Sequence, residues 1–315
     1  MAKIQFIEKR FGRASMELIE KVNSIVGEYR RQGYRLSLRQ LYYQLVARDI
    51  IENTVQSYKR IGSIVSDARD AGLIDWNAIE DRGRVPFLPT SWTDPAEIIN
   101  ACANGFRLDR WEGQENVVEV MVEKDALSGI LRPVCSRYHV RFTANKGYSS
   151  STAMFDAGER VYNALSDPDG TANEYHFIYF GDHDPSGLDM TRDIQERIAM
   201  YSRLDPQNVE EHIHIHRLAL NYDQVELWNP PPNPAKETDS RFIVYRDQYG
   251  DESWELDAVE PSILANLVTD QIRNLIDWSQ WAVIEERETR YTADLQKISK
   301  AYEAGTLSYR GKGKA

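Results

Sequence analysis

The stretch Phe177-Ile-Tyr-Phe-Gly-Asp182-His-Asp184-Pro-Ser-Gly187 constrains this chain more than any other. Its apolar run, Phe177 to Phe180, reads as a buried strand of a parallel sheet. Two aspartates one residue apart follow, and Pro185 and Gly187 turn the chain into a helix expected to begin near Leu188. Ligands of open α/β sheets bind just beyond the carboxyl ends of the strands. Residues i and i+2 of an extended segment point to one side, so Asp182 and Asp184 stand at the rim of such a crevice. Two carboxylates there suit a hard cation, Mg²⁺ first, with Mn²⁺ as a substitute. Asp-x-Asp also stabilises ordinary turns, so this stretch alone leaves a purely local role open.

A second element tips the balance. Val117-Val-Glu-Val-Met-Val-Glu123-Lys-Asp-Ala-Leu is another apolar strand ending in an acid, and it runs into an amphipathic segment from Ala126 to Val134. Two strands that each deliver a carboxylate at the C-terminal end can converge on one ion. A strand-end glutamate followed by strand-Asp-x-Asp-Pro-x-Gly resembles a Toprim domain, the Mg²⁺-binding module of topoisomerases, primases and some nucleases. The Asp-Pro-x-Gly element is similar to that of the A subunit of type IIB topoisomerases (topoisomerase VI) and of the related meiotic double-strand-break transesterase. The resemblance implies a catalytic or metal-facing role for Glu123 and metal ligation by Glu123, Asp182 and Asp184.

The 315 residues suffice for two domains, and 42% hydrophobic with 28% charged residues describes a globular chain. No apolar run approaches the ~20 residues of a membrane helix, no signal-peptide pattern opens the chain, and two cysteines in unrelated contexts fit a reducing compartment. These features predict a cytoplasmic protein. The net charge of -11 argues against a non-specific nucleic-acid coat, yet residues 1–60 hold twelve Lys/Arg against six Asp/Glu. An acidic protein can still bind DNA through one basic surface and bound cations.

That basic end reads as three helices. Apolar residues from Met16 to Val26 recur at helical spacing and stop before Gly33. Ser37 caps a second helix, Leu38-Arg39-Gln-Leu-Tyr42-Tyr43-Gln-Leu-Val46. A third runs from about Thr54 to Ala71, followed by a strand-like Leu73–Ile79 and a turn through Arg82 and Arg84. Three helices and a short wing make a winged helix-turn-helix, whose third helix would enter a major groove. Lys59, Arg60 and Arg69 on that helix, and Arg82 and Arg84 in the wing, are the candidate DNA contacts. A helical bundle with a solvated charged face is the plainer alternative. Leu38-Arg39-Gln-Leu-Tyr42-Tyr43 is similar to the Arg-(Asp/Glu)-apolar-(Tyr/Phe)-Tyr motif that carries the catalytic tyrosine in the type IIB family. The resemblance assigns the nucleophile to Tyr43 and its assisting cation to Arg39, with Gln40 where the family often has an acid. A tyrosine phenolate can attack a DNA phosphate and conserve the bond as a phosphotyrosyl link.

Pro-punctuated residues 85–95 set a domain boundary. The expected organisation is a winged-helix domain at 1–90, a linker at 91–115, a Toprim domain at 116–260 with its Pro-rich loop, and a helical region with a basic tail at 261–315. The fold class is α/β. Asn145-Lys146-Gly147 opens a helix whose N-terminus and Lys146 suit a phosphate, although a plain capped helix reads equally well. His212-Ile-His214-Ile-His216 alternates as a strand with three imidazoles on one face. They could bind zinc, but no fourth ligand is evident and a half-exposed strand is the simpler reading. Lys236 and Arg241 follow the Pro-rich loop as further candidate phosphate contacts.

The resemblance covers about Ser37 to Arg84 and Asn116 to His216. It implies Mg²⁺-dependent cleavage of double-stranded DNA by tyrosine transesterification in a homodimer, the tyrosine of one protomer serving the metal site of the other. It also implies a stand-alone, reduced A subunit of the kind found in bacterial nucleoids, on mobile elements and in phages. No Walker motif appears, so strand passage would need a separate ATPase subunit. Two alternatives remain: a hydrolytic Toprim nuclease of the plasmid-defence type, with no covalent intermediate, and a winged-helix DNA-binding protein without activity.

Overall fold

The computed structural model describes residues 3–80, 89–145 and 150–306. Arg82, Arg84, Lys146 and the basic tail lie outside the described residues. The chain forms two compact units, and each is built from two separated segments. Residues 1–84 and 116–275 make the first, and residues 85–115 and 276–315 make the second. The proline-rich boundary near residue 85 is therefore where the chain leaves the first unit, and Asn116 is where it returns.

The first unit opens with helix α1 (Arg13–Arg31), strand β1 (Leu36–Ser37), helix α2 (Leu38–Ala47), helix α3 (Val55–Asp70) and strand β2 (Ile79–Glu80). Each boundary has a local cause. Gly33 holds φ +89° just beyond α1, a left-handed conformation that glycine adopts without penalty. Ser37 and Gln40 form a reciprocal capping box at the start of α2, and the Thr54 hydroxyl accepts from Ser57 N at the start of α3. The three helices bury Leu18, Val22, Ile25, Leu41, Leu45, Ile61 and Val65 in one core. The expected strand at Leu73–Ile79 is mostly turn. Only Ile79 and Glu80 pair, in parallel, with Leu36 and Ser37, so the described residues contain no antiparallel wing.

Helix α4 (Pro95–Gly105) belongs to the second unit. The chain then builds a four-stranded parallel sheet from β3 (Asn116–Val122), β4 (Arg141–Ala144), β5 (Glu174–Phe180) and β6 (Ile213–Ala219), in the order β4-β3-β5-β6. Helices α5 (Ser128–Arg137), α6 (Ser151–Leu165), α7 (Pro185–Ser202) and the short α8 (Val209–His212) are its connections. The near-continuous apolar runs of β3 and β5 reflect burial on both faces. Met121, Tyr175, Phe177 and Tyr179 pack beneath Met154, Val161, Met190 and Ile194 of α6 and α7. The pattern is a mixed α/β layer fold with a parallel sheet, as the sequence predicts.

After β6 come α9 (Tyr222–Trp228), the antiparallel pair β7 (Asn233–Pro234) and β8 (Glu252–Ser253) flanking α10 (Phe242–Tyr249), and then α11 (Pro261–Leu275). The long C-terminal helical stretch breaks at Ile276–Asp277, and α12 (Trp278–Glu303) restarts with Asp277 as its cap. Within the second unit α12 packs along α4. Arg110 pairs with Glu285 at 3.0 Å and Glu288 at 2.9 Å and lies over the Trp281 ring. No helix among the described residues is long and apolar enough to cross a membrane.

One charge lies inside the sheet layer. Glu119, in the middle of β3, is fully buried. It is held by a bidentate pair to Arg160 (3.0 and 2.7 Å) and by the hydroxyls of Thr143 (3.0 Å) and Tyr175 (3.1 Å). Removing one partner of such a pair leaves the other charge uncompensated. Glu119→Ala is expected to lower the unfolding free energy by about 3–5 kcal/mol, read as a lower urea midpoint. An unchanged midpoint would refute this account of the layer.

The thiols allow a second test. Burial pushes Cys135, on α5, up to about 12, while Cys102, on α4, is exposed. Only thiolates alkylate at useful rates. Iodoacetamide at pH 8 should therefore modify Cys102 in the native protein and both residues in denaturant, as read by peptide mass. Equal native labelling of the two would contradict the packing of α5.

Candidate active site

The carboxyl ends of β3 and β5 lie side by side, with Val122 opposite Phe180 in parallel register. Glu123 and Asp182 leave the sheet at that end, and Asp184 caps α7 two residues further on. Each carboxylate is fixed by a backbone amide. Asp182 N donates to Glu123 Oε2 (2.9 Å), Leu256 N to Asp182 Oδ1 (2.9 Å), and Gly187 N to Asp184 Oδ1 (2.6 Å). The other oxygens of the aspartates meet ammonium groups: Asp182 Oδ2 pairs with Lys124, and Asp184 Oδ2 lies 3.9 Å from Lys236. Pro185 at the first turn of α7 starts that helix three residues earlier than Leu188, as its fixed φ favours. A Cβ on Gly187 would overlap the Asp182 carbonyl, so the Pro-x-Gly sequence is what lets the turn close.

The turn is clasped from behind by Arg217 of β6. Its guanidinium is buried and donates to the carbonyls of Asp182 (2.6 Å), Gly187 (3.0 Å), Leu220 (3.1 Å) and Gly181 (3.2 Å). Between the two aspartates, His183 points the other way, among Tyr222, Tyr245, Tyr249 and Trp254. Burial, with Arg217 nearby, holds its pKa down to about 4. His183 and Trp254 exchange two backbone hydrogen bonds of 2.9 Å. This isolated bridge draws Glu255, Leu256 and Asp257 up to the strand ends.

Glu255 and Asp257 complete the centre, and the sequence reading assigned them no role. Lys124 lies between Asp182 and Glu255, with Asp257 at 3.9 Å. Arg39 reaches the same acids from α2, 2.5 Å from Glu255 and 3.4 Å from Asp257. Burial opposes the charge on Lys124, but Asp182 and Glu255 hold its pKa well above the ordinary lysine value. Burial likewise opposes the charge on Arg39, and Glu255 and Asp257 outweigh it. Burial pushes Asp182 up to about 7 against the pull of Lys124, and raises Glu123 as well. Asp257 is buried, and neither oxygen accepts a hydrogen bond.

Arg39 and Tyr43 share one face of α2 at i, i+4 spacing. Tyr43 is 4% exposed, and its Oη accepts from Asn233 Nδ2 at 3.1 Å. Burial and the Glu255 charge raise its pKa, while Asn233 and Arg39 act against the rise. Tyr42 is also buried, and its hydroxyl is turned to Asn53 Oδ1 (2.8 Å) and Thr54 O (3.1 Å). Arg39, Tyr43, Asn53, Tyr58, Asn233 and Glu255 line one open cavity of about 540 Å³. Within one chain, therefore, Tyr43 and Arg39 meet the strand-end acids through Glu255 and Lys124.

The remaining candidates are scattered. Lys59 and Arg60 are exposed on α3. Arg69 donates to the carbonyls of Ile79 (2.7 Å) and Trp76 (3.3 Å), tying the end of α3 to β2. Lys236 is exposed beside Asp184. Arg241 is engaged by Asp239 (2.8 Å) and Asp189 (2.6 Å). Of the three alternating histidines, His212 ends α8 and bonds to Asn173 O at 2.9 Å, while His214 and His216 lie on β6.

Glu123, Asp182 and Asp184 come from two strand ends, each with one oxygen anchored by a backbone amide, but they are not among the groups whose ligand atoms gather within 4.8 Å of one another; in the described residues that placement belongs to Glu174, His176 and His214. No protein-family model matches the chain, and no curated protein matches it in sequence.

Proposed function

We propose that the protein cleaves DNA with a divalent cation held by Glu123, Asp182 and Asp184, and that Tyr43 is the nucleophile. The observation that supports this reading most is the meeting of two independent sets on one centre. The strand-end acids and the Arg39–Tyr43 pair come from different parts of the chain, yet Glu255 and Lys124 join them. A cation bound there would stabilise charge on the phosphate in the transition state. Tyr43 Oη would bond to phosphorus as the P–O3′ bond breaks, leaving a 5′-phosphotyrosyl end and a 3′ oxygen that takes up a proton. At neutral pH Tyr43 is a phenol, so it must give up a proton as it attacks. Glu255, on the same cavity wall, is the acid available to take it. Arg39 would hold the phosphate near Tyr43, and exposed Lys59 and Arg60 would meet flanking phosphates. The proposed assembly is a homodimer on double-stranded DNA in the cytoplasm or nucleoid, with strand passage left to a separate ATPase subunit.

A hydrolytic reading has its own support. Tyr43 is almost fully buried and its hydroxyl is already hydrogen-bonded to Asn233, so as a nucleophile it would first have to be uncovered. In that reading the cation activates water and Tyr43 positions Asn233. The deciding experiment is plasmid cleavage with Mg²⁺ or Mn²⁺, quenched in detergent and run with and without protease. Ends that enter the gel only after protease support the tyrosine reading. Free ends support hydrolysis. No cutting with either metal, by a protein that binds the plasmid, would overturn both.

A further inference from the structure

At the opposite end of the sheet from the acids, β5 and β6 bring together a second donor set of different chemistry. Glu174 and His176 are i, i+2 on β5, and His214 stands directly opposite His176 on β6. One ligand atom from each of Glu174, His176 and His214 falls within a single 4.8 Å sphere of mutual distance. We propose that these three residues bind a borderline transition-metal ion of the zinc class, and that the ion fastens the edge strand β6 to β5.

The distances suit it. Zinc–nitrogen and zinc–oxygen bonds of about 2.0–2.2 Å place neighbouring ligands of a tetrahedron about 3.3 Å apart. Glu174 Oε2 lies 3.3 Å from His176 Nε2 and 2.9 Å from His214 Nε2. The second contact is not a hydrogen bond: His214 Nε2 is buried and has no hydrogen-bond partner. A ring nitrogen and a carboxylate oxygen this close, with no hydrogen bond between them, are what a cation would reconcile.

The surroundings supply the orientation that metal-bound histidines need. His176 Nδ1 lies 2.9 Å from His216 Nε2, and the rings of His176 and His214 stack at 4.7 Å. With His176 Nε2 on the ion, its Nδ1–H would donate to His216 and fix the tautomer. Asn116 on β3 aims Oδ1 at His176 Nε2 from 3.1 Å and is itself held by Leu275 O at 2.9 Å. This amide oxygen, or a water, would be the fourth ligand. Magnesium, which takes oxygen ligands, would not compete for two imidazoles. The strands run about 20 Å or more between the two ends of the sheet, so this centre would be structural and separate from the strand-end acids.

The test uses the full chain, stripped with a chelator, in buffer with excess Mg²⁺. Zinc is added, free metal is removed by gel filtration, and bound metal and melting temperature are measured. Co²⁺ in place of zinc reports the ligand field by its visible bands. The expected result is one retained zinc per chain, a raised melting temperature, and loss of both in His214→Gln and Glu174→Gln. His216→Gln should weaken binding by about 10–100-fold. The Asp182→Asn/Asp184→Asn double variant should retain zinc like wild type. Should His214→Gln fail to fold, Glu174→Gln at the half-exposed strand end carries the test. No retained zinc in wild type, retention unchanged in both single variants, or loss confined to the aspartate double variant would each overturn the proposal.

Discussion

Asp182→Asn is expected to slow metal-dependent plasmid cleavage by about 10³-fold or more. Asparagine has nearly the same shape, and its amide oxygen can still accept the hydrogen bond that Leu256 N gives to Asp182. What disappears is the negative charge facing Lys124 and the proposed cation. Lewis-acid stabilisation of a phosphoryl transition state is worth several kcal/mol, and each 1.36 kcal/mol is a factor of ten. The rate is read from the loss of supercoiled substrate with time, with circular dichroism as the control for folding. A well-folded variant that cuts within tenfold of wild type would remove Asp182 from the chemistry. Asp182→Ala is the poorer probe, because it also deletes the bond that positions the Glu255–Asp257 segment.

Tyr43→Phe carries the second large effect. It removes one oxygen and one hydrogen bond, the one from Asn233 Nδ2, and keeps the ring that packs edge-on against Tyr42. If Tyr43 is the nucleophile, cleavage falls to background; loss of a nucleophile in a covalent hydrolase costs up to about 10⁶-fold. If water attacks, the variant cuts within a few-fold of wild type and leaves protein-free ends. Mixing the Tyr43→Phe and Asp182→Asn chains extends the result. Recovery of single-strand nicking would mean that the tyrosine of one protomer serves the acids of another. No recovery would favour the connection seen within one chain.

The sheet and its acids were legible because their signals are local. Apolar runs on β3 and β5 declare strands buried on both faces, and a turn must follow Asp182 and Asp184 because Pro185 and Gly187 do. The capping residue Ser37 located α2 in the same way. Tertiary placement was not legible. Glu255 and Asp257 lie in a short Trp-Glu-Leu-Asp segment with no distinctive pattern, and they reach the site only because His183 and Trp254 bridge across 71 positions of sequence. Lys124 looked like the polar residue after a strand, and its role appears only once three acids surround it. The alternation of His214 and His216 was visible. Their partners Glu174 and His176 were not, since pairing between parallel strands is set by the crossover and not by either strand alone. The wing is not settled by the described residues: of the strand-like segment Leu73–Ile79 only Ile79 pairs, in parallel with Leu36, and the turn through Arg82 and Arg84 lies outside them.

The interleaving of the two units has a consequence for how the chain is made. A ribosome delivers residues in order, and neither unit can close until late. The three N-terminal helices emerge first, but the unit they share with the sheet is complete only when α11 has been synthesised. Helix α4 leaves the tunnel early and waits for α12, which comes almost last. The link between the tyrosine helix and the acidic strand ends runs through Glu255 and Lys124, so it cannot form until residue 255 has been made. The charged centre is assembled only after the Glu255–Asp257 segment arrives, so a chain interrupted before that point has the acids and the tyrosine but not the contact between them.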